Sequence, residues 1–333
     1  MKISVVIPVR NEEDSIRTLL DCVLGQTRMP DEVVVTDGGS TDKTPSIIEE
    51  YVRRGAPVVL IREAAALPGR GRNVAAARAS FDWLAFADAG TRPAPGWLEA
   101  LAERVEHDPT VEVVYGNWES ITDTFFKECA AIAYVHVTPI EVEGATIPPP
   151  WIASALIRRA VWSAVGGFAD DLRSAEDLVF QEKIKEGEFR VAYAPRAVVG
   201  WTMQPTLWRT FKRFVTYSRH NLRAGLGGQW QSAIITRYAL LTLCALPALF
   251  FGLRWLVVPA ALWLLMLAAR AVVALHRNRV AYPASVRRNL LRLLLLVPLL
   301  ATIDAATILG ALHWLAADKL RPGAAPAGAG GGA

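Results

Sequence analysis

Between Ser232 and Leu315 the chain carries three long apolar stretches, at about 233–253, 255–275 and 291–315, separated by short basic interruptions. A helix needs about 20 apolar residues to cross the hydrocarbon core of a bilayer, and each stretch is close to that length. Lipid admits only segments that satisfy their own backbone hydrogen bonds, so this third of the chain reads as helices. Only residues 252–255 separate the first two stretches, which makes them a tight hairpin. Arg237 stands near the start of the first, and Arg270 lies near one end of the second, where it can snorkel. Asp304 falls inside the third, and a carboxylate there needs a partner. That stretch either crosses, lies flat or packs on the other two. Arg277, Arg279, Arg287 and Arg288 cluster between the second and third stretches, which the positive-inside rule places in the cytosol. The expectation is a multi-pass protein of the cell's inner membrane, with three crossings and the residues before them cytosolic.

The apolar excess is local. Mean hydropathy is +0.26, yet up to about residue 228 charged and apolar residues mix as in a globular domain. Hydrophobic residues make up 52% and charged residues 20% of the 333, which excludes disorder as the general state. Cys22, Cys129 and Cys244 are far apart and lack metal spacing, so ordinary thiols in a reducing compartment are expected, with no structural zinc. No secretory signal opens the chain, because the apolar run at 3–9 is short and Arg10, Asn11, Glu12, Glu13 and Asp14 follow at once. The net charge of +4 comes from basic residues beside the apolar stretches and makes no case for nucleic acid. Residues 207–223 interleave Trp208, Phe211, Phe214, Val215 and Leu222 with Arg209, Lys212, Arg213, Arg219 and Arg223, the pattern of a helix lying in a membrane interface. Four regions follow: a domain at 1–205, an interfacial amphipathic helix at 206–230, transmembrane helices at 231–317 and a disordered Gly/Ala/Pro tail at 318–333.

The first region alternates strand and helix. Apolar, β-branched runs at 3–7, 33–36, 58–61, 83–87 and 111–115 read as strands covered on both faces. Helical periodicity links them at 11–24, 42–54, 72–79 and 96–106, which implies a doubly wound, mostly parallel α/β sheet. After that the alternation weakens. Pro148, Pro149 and Pro150 mark an extended segment, 151–157 reads as a strand, and 159–165 as a helix stopped by Gly166 and Gly167. Glu176 and Asp177 stand just before a helical stretch at 178–186. Such sheets bind ligands at the carboxyl ends of their strands. Three polar stretches fall there: Pro8 to Glu12, Asp37-Gly38-Gly39 and Asp88-Ala89-Gly90.

Moving a sugar off a nucleoside diphosphate requires holding the nucleoside, neutralising the departing diphosphate and deprotonating the acceptor hydroxyl. Carboxylates at strand ends suit the first two tasks, with a divalent metal between carboxylate and phosphates. A carboxylate across the reacting carbon suits the third. Asp37, Asp88 and the pair Glu176–Asp177 are candidates, and Arg70 and Arg72 could reach the diphosphate or the base. The opening Ile3-Ser4-Val5-Val6-Ile7-Pro8-Val9-Arg10-Asn11-Glu12-Glu13, then Asp37-Gly38-Gly39-Ser40-Thr41-Asp42, Arg72-Asn73, Asp88-Ala89-Gly90, Gly166-Gly167-Phe168 and Glu176-Asp177, resembles in order the family 2 glycosyltransferases of GT-A fold. The resemblance covers about residues 1–200. It implies an inverting transferase of the bacterial cell-envelope or exopolysaccharide type that uses a nucleoside-diphosphate sugar and Mg²⁺ or Mn²⁺. It assigns Pro8, Arg10 and Glu12 to the nucleoside, Asp37 (with Gly38 beside it) to the base, Arg72 to the nucleotide, Asp88 to the metal and Asp177 to the catalytic base; Arg70 stays a nucleotide-sugar candidate by its place beside Arg72. Glu176 is a supporting residue or an acceptor contact.

Two departures qualify that resemblance. Gly90 replaces the second aspartate of the family's Asp-x-Asp motif, so one metal ligand is missing. The Gln-x-x-Arg-Trp element of processive members is absent, with only an imperfect echo from Gln204 to Arg209. A single addition to a polyprenyl-phosphate-linked or other membrane acceptor at the cytosolic face fits better than polymer synthesis. The alternative is a non-catalytic, membrane-anchored protein whose GT-A-like domain binds a nucleotide or a partner.

Overall fold

The computed structural model describes residues 1–135, 140–142, 145–147, 149–228 and 231–320, with side chains omitted at 140–147. The chain forms two compact units, residues 1–121 with 137–202, and residues 122–136 with 203–333. The strands are β1 (Ile3–Val9), β2 (Glu32–Asp37), β3 (Val58–Arg62), β4 (Trp83–Phe86), β5 (Thr91–Pro93), β6 (Val113–Ile121), β7 (Ile140–Val142), β8 (Ala145–Ile147), β9 (Ala155–Arg158) and β10 (Val191–Thr202). The helices of the first unit are α1 (Ile16–Leu24), α2 (Thr44–Arg53), α3 (Pro68–Arg78) and α4 (Trp97–His107). After α5 (Phe125–Tyr134), which belongs to the second unit, come α6 (Arg159–Ala164) and α7 (Glu176–Glu186).

Eight strands form one mixed sheet in the order β3-β2-β1-β4-β9-β6-β10-β5. The βαβ half, β3-β2-β1-β4, is parallel throughout, as the alternation requires. β9 then runs antiparallel between β4 and β6, and β5 runs antiparallel on β10, while β6 and β10 pair in parallel. Every residue of β2 is buried and β1 nearly so, which explains their unbroken Val and Ile runs. The register aligns Val9 with Asp37 and Asp37 with Arg62, so the carboxyl ends of β1, β2 and β3 share one edge. Beside them β4 ends just before Asp88, its Phe86 paired with Val6 of β1.

Local differences from the periodicity have local causes. α1 begins at Ile16 rather than near Asn11. Asn11 takes a left-handed backbone (φ 55°) and ties into the next loop, its Oδ1 accepting from Thr41 N at 2.8 Å and its own N–H donating to Ser40 Oγ at 2.8 Å. The strand expected at 151–157 is a short 3-10 turn, Ile152–Ser154, followed by β9. The Pro148 part of the extended segment lies outside the described residues.

The second unit contains α5 and α8 (Leu207–Arg223), α9 (Gln231–Ala245), α10 (Ala248–Phe251), α11 (Val257–Arg277) and α12 (Val286–Trp314). Residues 122–136 therefore do not belong with the sheet, as a single region at 1–205 had implied. Glu128 of α5 is buried against Arg288 and Arg292 of α12, a pairing that periodicity cannot reveal. Among the described residues three helical segments, Gln231–Phe251, Leu253–Arg277 and Val286–Lys319, are long and apolar enough to cross a membrane. Gly252, with φ 82°, turns the chain between the first two. The last helix continues through one π turn, Leu315–Lys319, whose Asp318 bonds Arg219, so the helix runs past the expected start of the tail at 318. Residues 321–333 of that tail lie outside the described residues.

Candidate active site

α3 starts at Pro68, which is preset for a first helical turn, and runs along the strand ends. Its glycines permit close approach on two sides. A Cβ at Gly69 would lie 2.0 Å from the Ala169 carbonyl oxygen, and one at Gly71 would lie 3.0 Å from Pro8 Cβ. The helix thus fits between β1 and the segment leading to α7. Asn73 fastens that segment: its Oδ1 accepts from Phe168 N (2.9 Å) and Trp162 Nε1 (3.1 Å), and its Nδ2 donates to Phe168 O (2.8 Å) and Asp170 Oδ1 (2.7 Å).

Arg72 is the centre of the site and is 3% exposed. Its Nη2 donates to Asp88 Oδ1 and Oδ2 at 2.7 and 2.8 Å, and its Nη1 donates to Glu176 Oε1 at 2.6 Å. The guanidinium lies over the Phe168 ring, 5.3 Å from its centroid. Ala175, a non-glycine residue with φ 70°, turns the chain so that Glu176 and Asp177 open α7. Strain of this kind persists where the surroundings hold it, commonly at functional sites. Three carboxyl groups therefore meet one guanidinium. Burial pushes the Asp177 carboxyl up to about 7, reinforced by repulsion from Glu176 and opposed by Arg72. Asp177 itself is half-buried, and its Oδ1 accepts from Leu178 N at 2.9 Å. Glu176 Oε2 and Arg72 Nε are buried without a hydrogen-bond partner among the described residues.

The nucleoside candidates lie along the same edge of the sheet. Pro8 is half-buried beside Gly71, Arg10 is exposed, and Glu12 N donates to Thr44 Oγ1 at 2.7 Å. Asp37 is buried and closes its own turn, accepting from Ser40 N at 3.1 Å and from Ser40 Oγ. Gly38 is held by its N–H to Val9 O at 2.8 Å, and a Cβ there would meet the Ala66 carbonyl oxygen at 2.5 Å. Arg70 is not brought into the cluster. It is exposed and bonds Glu63 at 3.0 Å and Asp170 at 3.4 Å.

For a divalent metal, Asp88 is the candidate ligand that the sequence offers at this site. Gly90 makes a left-handed turn (φ 81°), a conformation that disfavours an aspartate there. Among the described residues no three His, Cys, Asp or Glu gather as a metal cage. A single carboxylate, with 24% of its side chain exposed, fits an ion that takes its other ligands from diphosphate and water. It does not fit a metal bound by protein alone.

Periodicity gives no sign of Gly69 and Gly71, whose signal is the dense Gly-Arg-Gly-Arg-Asn string; Asn73, which the resemblance includes beside Arg72, has no role assigned there. Nor does periodicity mark Trp118, which packs with Trp151 and Trp201 at centroid distances of 6.0 and 5.8 Å.

Residues 4–161 match the model of the family described as Glycosyl transferase family 2. A pre-mycofactocin glycosyltransferase of Mycobacterium tuberculosis (strain CDC 1551 / Oshkosh) is 29% identical over 204 residues, 59% of this chain and 42% of that one. A poly(ribitol-phosphate) beta-glucosyltransferase of Bacillus spizizenii is 33% identical over 138 residues, 38% of this chain and 22% of that one. The chain thus spans less than half the length of either relative. Among solved structures, a mannosyltransferase from Pyrobaculum calidifontis in complex with GDP-Man and Mn²⁺ superposes with a TM-score of 0.54 at 23% identity, covering 94% of this chain and 87% of that one. At that identity the likeness establishes the fold.

Proposed function

We propose that this chain, whose residues 4–161 match the glycosyl transferase family 2 model, moves a sugar with inversion from a nucleoside diphosphate to an acceptor hydroxyl on a membrane-held saccharide. The observation that carries the reading is the gathering of Asp88, Glu176 and Asp177 around Arg72 at the strand ends, with the Asp177 carboxyl lifted to about 7. A base poised near neutrality is suited to taking a hydroxyl proton.

The nucleoside lies along Pro8, Arg10, Glu12, Asp37 and Gly38, and the diphosphate lies over Asp88 and Arg72. When bound through Asp88, Mg²⁺ or Mn²⁺ neutralises charge on the departing diphosphate. Asp177 accepts the acceptor hydroxyl proton as that oxygen bonds the anomeric carbon. The bond from that carbon to the phosphate oxygen breaks, and the nucleoside diphosphate leaves with its electron pair. Burial and the neighbouring Glu176 raise the affinity of Asp177 for a proton and Arg72 opposes them, which leaves that carboxyl at about 7.

The acceptor is a polyprenyl-phosphate-linked saccharide or another membrane glycan, because the apolar helices keep the protein in the same bilayer. The site faces the cytosol of the inner membrane, the side that the positive-inside rule assigns to the basic segment at 277–288. Purified full-length protein, given UDP- and GDP-sugars with membrane lipid extract, should release free UDP or GDP. Release should rise with Mn²⁺ or Mg²⁺ and require the extract. Nucleotide binding with no release under any combination sinks the reading. It would favour the rival, a non-catalytic nucleotide-binding protein, to which Gly90 and the occupation of both Asp88 oxygens by Arg72 lend support.

A further inference from the structure

We propose that the third long apolar helix does not cross the bilayer. α12 lies in the plane of the membrane interface with α8 against it, its outer face in lipid, so that the chain crosses only twice. The tail then leaves on the side that carries α5 and α8.

The three apolar segments differ in what covers them. In the most apolar 18 residues of each, 6% and 17% are buried in the hairpin segments, against 44% in α12. The hairpin helices are largely bare, as a spanning helix among lipids is, with Arg270 and Tyr238 as their polar tie to α12. α12 is instead bound along its length by polar elements. Near its start, Arg288 and the buried Arg292 pair with Glu128 of α5, and Arg292 Nη1 also donates to Tyr282 O (2.9 Å) and Asn289 Oδ1 (2.8 Å). Further along, Ser218 Oγ of α8 donates to Thr307 O at 2.7 Å. Gly310 lets α8 come so near that a Cβ would sit 2.5 Å from Val215 O. Past the end, Arg219 Nε and Nη2 bond Asp318 at 2.8 and 3.0 Å.

These ties are incompatible with a crossing. From Arg292 to Asp318 the helix rises about 39 Å, more than the roughly 30 Å of hydrocarbon in a bilayer. If α12 crossed, α8 would have to lie beside its far half, carrying Arg209, Lys212, Arg213, Arg219 and Arg223. Each arginine at the bilayer centre costs on the order of 3 kcal/mol on insertion scales. α8 is also joined at its start to α5: Gln204 N donates to the Tyr134 hydroxyl at 3.4 Å, and the Phe214 and Tyr134 rings are 5.1 Å apart. α5 in turn holds the beginning of α12, so both halves of α12 rest on one connected polar layer.

The buried carboxylate of α12 fits this depth. Asp304 accepts from Arg270 of α11 and, at 3.2 Å, from the Tyr238 hydroxyl of α9. Arg270 lies seven residues inside Arg277 and Tyr238 seven inside Gln231, each about 10 Å along its helix from the polar end. Interfacial helices bury to about 5–10 Å. The outward face of α12, with Leu291, Leu294 and Leu312 all at least half exposed, meets the acyl chains.

Membrane-impermeant maleimide labelling of the full chain tests this, with Cys22, Cys129 and Cys244 replaced and one cysteine returned at a time. Leu253→Cys reports the hairpin tip, Val280→Cys the basic loop and Gly330→Cys the tail. Val280→Cys and Gly330→Cys are expected to label in inverted vesicles and be protected in right-side-out ones, with Leu253→Cys the reverse. Protection of Gly330→Cys together with Val280→Cys lost, so that it labels with Leu253→Cys, overturns the proposal, as does labelling of all three from one side. Alkaline phosphatase and green fluorescent protein fused to the C-terminus of the unaltered chain give an independent reading. Fluorescence without phosphatase activity supports two crossings, and phosphatase activity without fluorescence overturns them.

Discussion

Arg72 in the first unit meets Asp88 and Glu176 with Asp177 beside them, whereas Arg270 in the second meets Asp304 alone, with the neutral Tyr238 hydroxyl completing that carboxylate's bonds. Both are buried arginine–carboxylate contacts, and their charge balance separates them. Around Arg270 the charges cancel, and Trp263 Nε1 donates to the Tyr238 hydroxyl at 3.0 Å, so the group is closed. Around Arg72 the carboxyl groups outnumber the guanidinium, one Glu176 oxygen has no partner among the described residues, and Asp177 binds its proton more tightly. A balanced buried pair fixes helices. An unbalanced one is ready to take a cation, a proton or both.

Asp177→Asn is the strongest test of the unbalanced cluster. It should lower turnover by about 10³-fold, in line with loss of a general base, while nucleotide binding measured by calorimetry stays largely intact. Unaltered turnover would show that the base is elsewhere. In the wild type the rate should climb from pH 6 to 8, because the carboxyl of Asp177 is pushed up to about 7 and must be ionised to act. The stability sign is opposite. Between the ordinary aspartate range and about 7 the folded chain holds a proton that the unfolded chain has lost, so this group's contribution to stability falls as pH rises through that window. Asp177→Asn should remove both dependences.

Arg72→Met should be next in size. Leaving the buried Glu176 and the partly buried Asp88 without their cation costs about 4 kcal/mol, read as a fall in the thermal unfolding midpoint of the first unit. The same variant should move the rising limb of any residual pH–rate profile upward, since Arg72 opposes protonation of Asp177. For the balanced pair, Arg270→Met alone should destabilise by about 2 kcal/mol, and Arg270→Met with Asp304→Leu should recover most of that. If the double variant is as damaged as the single one, the pair does more than join helices. Smallest of all, Gly310→Ala should cost about 1 kcal/mol by pushing α8 from α12, with the pH profile of transfer unchanged.

Much of the first unit was open to reading in one dimension. β1 and β2 declare themselves by unbroken Val and Ile because both faces are covered, and their parallel register then delivers Pro8, Asp37 and Asp88 to one edge. Other features required coordinates. β9 inserts between β4 and β6 against their direction, a choice of pairing that no period encodes. Asn73 looks like any helical asparagine until four hydrogen bonds show it holding the segment before α7. Arg70 and Arg72 are two residues apart and indistinguishable by composition. Helical spacing turns one outward to Glu63 and Asp170 and the other inward to Asp88 and Glu176.

The order of amino acids is enough to state which segments are strands, which are apolar helices and where carboxylates cluster along the chain, because periodicity and hydropathy are local properties that survive without partners. Which carboxylate shares a guanidinium with which, that α5 leaves the sheet for Arg288 and Arg292, and that α12 is covered by a basic helix rather than bare, are matters of long-range contact. Charge balance and burial exist only once distant residues meet. Position in the sequence already set Asp177 apart from Asp304; their partners, Arg72 and Glu176 around the one and Arg270 and Tyr238 on the other, came from the tertiary structure.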